Sequence, residues 1–171
     1  EEGTVSGDIQ WQKDFPITRD DDASNHYGKS RALAREGIAE FLPKLMNNKA
    51  PRITQDASKA TYWLKRSAKD GEIHWDQPSM TIYNLVRALT HPYPGSHTFL
   101  AGEKVIVWKA SPPATESADS QRQGDELPGT VVEASASRLV VRTGDGYLTI
   151  LDYSRANCQE VMRGNKLGPE V

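Results

Sequence analysis

Two prolines spaced by one residue, Pro92 and Pro94, constrain this chain more than any other feature. A residue before proline is pushed out of the helical region, so His91 and Tyr93 cannot continue a helix. The preceding stretch, residues 75–90, carries Ile82, Leu85, Val86 and Leu89 at i, i+3, i+4 and i+7, one apolar helical stripe. Asp76 or Ser79 is positioned to cap this helix. Pro78 falls near its start, where a missing N–H costs little. The run His91-Pro92-Tyr93-Pro94-Gly95 is then a stiff turn that ends in a permissive glycine. Apolar spacing before the turn is helical and after it alternates. The turn is a device for joining two subdomains at a fixed angle.

Upstream, DIQWQKDFPI reads as a strand anchored by Ile9, Trp11 and Phe15. The acidic run Asp20-Asp21-Asp22 reads as a helix start rather than a metal site, because no second ligand cluster accompanies it. Ala23 to about Met46 is a long amphipathic helix with Tyr27, Ala34, Ile38, Phe41, Leu42 and Leu45 as its buried stripe and Pro43 disturbing its last part. Residues 47–51 form a turn. Residues 52–72 are mixed, with Tyr62 and Trp63 expected to pack and a turn at Lys69-Asp70-Gly71.

Downstream, residues 97–100 and 103–110 predict a hairpin turning at Ala101-Gly102, with Val105 and Val107 on one face and Ile106 and Trp108 on the other. Residues 111–126 lack apolar periodicity and read as a surface loop. Strands follow at 129–134, 139–143 and 147–153, and the tail holds at most one helical turn. Five short strands with glycine turns predict a small, partly open barrel.

Composition narrows the function classes. A net charge of −2 supplies no broad basic field for phosphate backbones. One cysteine, Cys158, fits a reducing, cytoplasmic setting. The four histidines show no ligand spacing, and no Walker, G-x-S-x-G or G-x-G-x-x-G motif occurs, so neither a metal nor a nucleotide fingerprint is present.

Three segments in order, IHWDQP (73–78), IYNLVRAL (82–89) and PYPGSHTF (92–99), resemble the IDW-x-x-P, I-x-N-L-V-R-A and P-[WY]-P-G-A-[FY] segments of the 10-formyltetrahydrofolate-dependent formyltransferases. The resemblance implies an α+β chain: the C-terminal part of a Rossmann-like catalytic domain, strand plus helices, through residue 96, then an OB-like β-barrel over 97–171. The acidic start EEGTVSGD has no initiator Met and is no signal peptide. With the resemblance, it implies a chain that begins partway through a larger protein, so the N-terminal catalytic half is a missing partner.

Family chemistry is acyl transfer to an amine. The amine must lose a proton, and the tetrahedral oxyanion needs donors. The family supplies an Asn-x-His motif and, later, an Asp in a D-x-G-x-D-T-G-D-I loop that raises the pKa of that His. No Asn-x-His occurs in these 171 residues. The loop corresponds to residues 1–9, and the aspartate position falls on Val5, leaving Glu2 or Asp8 as substitutes or an impaired paralogue. Contact with the co-substrate 10-formyltetrahydrofolate would fall to Glu1, Glu2, Gly3, Thr4 and Val5, partly through backbone. Arg87 could form an interdomain salt bridge or meet a substrate phosphate. Tyr93 is the other candidate for substrate contact. The stretch ATYWLKRSAKDGEIHW (60–75) resembles sugar N-formyltransferases, with Ala68 where proline is usual, and implies a nucleotide sugar or other small amine as acceptor. Methionyl-tRNA formyltransferase is one alternative, disfavoured by eight Lys and Arg against ten Asp and Glu in residues 100–171. A non-catalytic accessory module is the other.

Overall fold

The computed structural model of the chain describes residues 7–113, 124–155 and 160–169. Contacts divide it into two compact units, residues 1–18 with 25–65 and residues 19–24 with 66–171.

The first unit is built on α1 (Ala23–Met46), whose first two residues belong to the other unit. The helix runs through Pro43 and is followed at once by a turn in which Asn48 has φ 53°. Its buried stripe is not the one expected. Tyr27, Ile38, Leu42 and Leu45 are exposed, Ile38 to 60%, and Ala34 with them; of the six only Phe41 is half-buried. The sheltered side centres on Gly37, where a Cβ would come within 2.8 Å of the Trp11 ring. Trp11 Nε1 also donates to Glu40 at 3.1 Å, and Lys13 pairs with Glu36. One large ring against one glycine decides which side of the helix is covered, and the aliphatic stripe lies to the side of it.

The expected strand at residues 8–17 does not form. Ile9 pairs only with Ile53, by two backbone hydrogen bonds of 2.8 and 3.0 Å. Apolar alternation needs a neighbouring strand to become a ladder, and a single residue answers it here. Tyr62 and Trp63 do not pack either. They are 91% and 86% exposed on a stretch with no regular structure.

Among the described residues, the second unit holds α2 (Ser79–Leu89) and six strands: β1 (Ser96–Leu100), β2 (Glu103–Ala110), β3 (Val131–Ser135), β4 (Arg138–Arg142), β5 (Tyr147–Arg155) and β6 (Leu167–Gly168). They form one antiparallel sheet in the order β3-β4-β5-β2-β1-β6. The hairpin β1–β2 has the expected turn and facing: Leu100 pairs with Glu103, and Val105 and Val107 are buried. The tail contributes β6, a strand not expected there. At the starts of β6 and β3, Leu167 N–H donates to Gly129 C=O at 2.8 Å and Val131 N–H to Asn165 C=O at 2.9 Å. These bonds join the two ends of the sheet and leave fewer unpaired edge groups.

The apolar core contains Ile73, Ile82, Val86, Val107, Val141 and Leu148, each at most 2% exposed. α2 presents Ile82 and Val86 to it, with Leu85 packed alongside. The helix and residues 66–78 therefore share the core of the strands. In this part of the chain the compact units part between residues 65 and 66.

Candidate functional site

The loop residues Glu1, Glu2, Gly3, Thr4 and Val5 lie outside the described residues, as do 114–123 of the expected surface loop and Cys158. The downstream end of the loop is visible. Gln55 Nε2 donates to Gly7 C=O at 2.6 Å, and Arg52 Nε donates to the Asp8 carboxylate at 3.1 Å. Gly7, Asp8 and Gln55, together with Ile9, Gln10, Trp11 and Phe41, line a cavity of about 570 Å³ in the first unit. It offers amide and carboxylate groups beside aromatic rings. Asp8, one of the two acids that could replace Val5, has its carboxylate engaged by Arg52.

Arg87 and Tyr93 are placed by α2 and the turn after it. Tyr83 and Arg87, one helical turn apart, both reach the segment preceding α1. Tyr83 Oη–H donates to Arg19 C=O at 2.9 Å, and Arg87 Nη1–H donates to Asp21 C=O at 2.7 Å. Arg87 Nε also donates to Asn84 Oδ1 at 2.8 Å, and the guanidinium carbon stands 5.8 Å from the Tyr83 ring centroid. Burial raises the Tyr83 hydroxyl above the usual tyrosine range, against the pull of the Arg87 charge. Arg87 thus holds backbone within the second unit. Tyr93 is exposed in the proline turn, where its N–H donates to Thr90 C=O at 3.1 Å. The neighbouring His91 stacks on Trp108 with centroids 4.3 Å apart. Neither Arg87 nor Tyr93 lines the Gly7–Trp11 cavity.

Two features carry no local sequence signal. The first is a polar node beneath α2. Ser79 hydroxyl lies 2.7 Å from Thr143 Oγ1, and Ser79 N–H and Oγ–H donate to Asp145 Oδ1 at 2.7 and 2.9 Å. The helix start is therefore capped by an aspartate 66 residues away, not by Asp76 or by the Ser79 side chain. Partial burial would raise the Asp145 carboxyl, but the hydrogen bonds from Ser79 and Thr143 outweigh it and hold it below the usual range. The second feature is an open groove of about 520 Å³ lined by Ala68, Lys69, Glu72, His97, Phe99, Gly102 and Lys104. The β1–β2 register and the Glu72–His97 bridge bring these residues together.

Among the described residues, no three His, Cys, Asp or Glu side chains are grouped to hold a metal ion, and no helix is long and apolar enough to cross a membrane.

The α2-plus-sheet unit and its segments define a class of protein: the chain belongs to the formyltransferase family, and residues 65–166, more than half of it, match the formyl transferase C-terminal domain. Among solved structures, a HypX variant from Aquifex aeolicus is similar at 19% identity and a TM-score of 0.67, over 99% of this chain and 28% of that one. HypX from Aquifex aeolicus in complex with tetrahydrofolic acid gives the same figures, 19%, 0.67, 99% and 28%. Methionyl-tRNA formyltransferase from Clostridium thermocellum is similar at 21% identity and a TM-score of 0.54, over 68% of this chain and 49% of that one. At these identities the likeness establishes the fold alone. The chain spans just over a quarter of the length of the HypX structures.

Proposed function

We propose that this chain is the C-terminal portion of a cytoplasmic N-formyltransferase that moves a formyl group from 10-formyltetrahydrofolate to an amino group of a nucleotide sugar or another small amine. The match of residues 65–166 to the formyl transferase C-terminal domain carries this reading. The tetrahydrofolic acid bound by the HypX relative is consistent with the co-substrate. In this reading the strands after residue 96 form an OB-like barrel. The exposed stripe of α1 lies against a Rossmann-like sheet supplied by the catalytic half. Residues Glu1 to Val5 meet the folate, and Tyr93 meets the acceptor. The slight acidic excess in residues 100–171 favours a small amine over tRNA.

The amine must be deprotonated as it attacks, and the oxyanion must be met by fixed donors. The 171 residues hold no Asn-x-His, and a valine occupies the loop's acid position. A missing tuned base costs a factor of roughly 10² to 10⁴, and a missing oxyanion donor roughly 10² to 10³. These factors do not simply multiply, because the groups act as a unit. The test is a formyl-transfer assay with 10-formyltetrahydrofolate and a panel of amino sugars plus charged initiator tRNA. It is run on this chain, on protein carrying an Asn-x-His half, and on the latter with Val5→Asp. The isolated chain is expected to be inactive, the longer protein weakly active on a small amine, and Val5→Asp faster. Robust turnover by the isolated chain would overturn the assignment of roles. Formylation of tRNA alone would overturn the acceptor.

A further inference from the structure

The groove beside β1 carries a grouping that formyl transfer does not use. Lys69 sits on the single helical turn Ala68–Gly71, which is fixed by Ser67, whose N–H and hydroxyl both donate to Asp70. The next residues are lashed along β1: Glu72 bridges His97, and Ile73 N–H donates to His97 C=O at 2.7 Å. On the other wall, the β1–β2 register sets Lys104 opposite Phe99, on the same face as His97. Gly102 (φ 81°) leaves the rim open, since a Cβ there would meet nothing within 4 Å. His97 and Phe99 are more than nine-tenths buried and contact each other edge to face at 5.7 Å. These two packed rings are the buried part of the groove lining.

Lys69 and Lys104 are exposed at the rim, and neither has an ion-pair partner among the described residues. Two ammonium groups without ion-pair partners on one concavity concentrate positive potential there. We propose that this groove binds the phosphate of a small phosphorylated molecule. A phosphoryl group carries close to two negative charges at neutral pH and accepts from both lysines at once. Glu72 lines the same groove, and its carboxylate has no ion-pair partner among the described residues. It opposes a bare anion but can accept an N–H or O–H from the rest of the ligand. A polymer backbone laid across the rim would set further phosphates against Glu72 and the acidic excess of residues 100–171. A small molecule can avoid that conflict.

The proposal stands apart from formyl transfer, and its test needs no turnover. Pyrophosphate and ADP are titrated into the 171-residue chain by calorimetry and by amide chemical-shift mapping. Saturable binding at about millimolar or tighter is expected, with shifts gathered at residues 68–72 and 97–104. Lys69→Gln and Lys104→Gln, both surface changes, are each expected to weaken pyrophosphate roughly tenfold with melting temperature unchanged. Lys59→Gln, outside the groove, should leave binding as it is. Glu72→Gln should tighten pyrophosphate and weaken ADP relative to it. Linear, unsaturable titrations, scattered shifts, or equal losses in all three lysine variants would overturn the site. Preferential binding of an RNA oligomer with a steep salt dependence would overturn the ligand class in favour of a polymer.

Discussion

Gly95 is where the proline turn delivers the chain into β1, and two requirements meet at its single α-carbon. Its φ is +84°, which a side chain disfavours, and a Cβ would stand 2.4 Å from Ile106 Cγ2 and 3.0 Å from the Trp108 ring. Gly102 has nearly the same φ, +81°, but open space where the Cβ would be. The two glycines therefore separate backbone strain from crowding. Gly102→Ala is expected to cost about 1–2 kcal/mol from conformation alone. Gly95→Ala should cost that plus about 1–3 kcal/mol of overpacking. Equal losses in thermal melts would show that Ile106 and Trp108 yield freely. The need for a glycine at 95 was legible from Pro-x-Pro-Gly, but the side chains above it were not. Arg87 shows the same limit. It was readable as a charge at a joint, yet its acceptor, the carbonyl of Asp21, carries no side-chain signature and lies 66 residues away.

At the scale of the element, α2 depends on a cap from another part of the chain. Asp145 reaches it from the β4–β5 turn, and Gly144 packs so closely there that a Cβ would fall 2.0 Å from Asp76 C=O. The Asp145 carboxyl is held low in the folded state. An acid with a depressed folded pKa adds stability that is fully present above its unfolded pKa, about 3.9, and lost as pH falls through the lower folded value. Asp145→Ala should therefore cost about 1 kcal/mol at pH 7, the ordinary worth of a cap, and progressively less below pH 4. Urea midpoints for parent and variant across that range measure it. A gap that stays constant down to pH 2 would mean that the charge is not its source. The end of α2 followed from proline positions, and the extent of α1 from its helical spacing after an acidic start. The face of α1 that is covered did not, because periodicity reports which side is apolar and the Trp11–Gly37 contact decides which side is met.

Across the whole molecule, burial is uneven. Every residue of the apolar core cluster lies between Ile73 and Leu167, while the aliphatic stripe of α1 and residues Tyr62 to Leu64 remain exposed. Local stability follows buried contacts, so amides of β2, β4 and β5 should exchange most slowly and those of residues 47–65 fastest, with α1 between. Hydrogen exchange followed by mass spectrometry resolves these segments. An α1 protected as strongly as β4 and β5 would contradict the ranking. The amino-acid sequence alone determined the family, the two helices, the hairpin and the three following strands, because apolar period, prolines and turn glycines act over a few neighbours. Tertiary structure decided the rest. It placed α2 in the core of the strands, made β6 from a tail with no strand signal and tied it to the start of β3. It capped α2 from Asp145 and gathered Lys69, His97 and Lys104 on one groove. Each of these is a pairing between residues far apart in the chain, and only the folded backbone sets which distant groups meet.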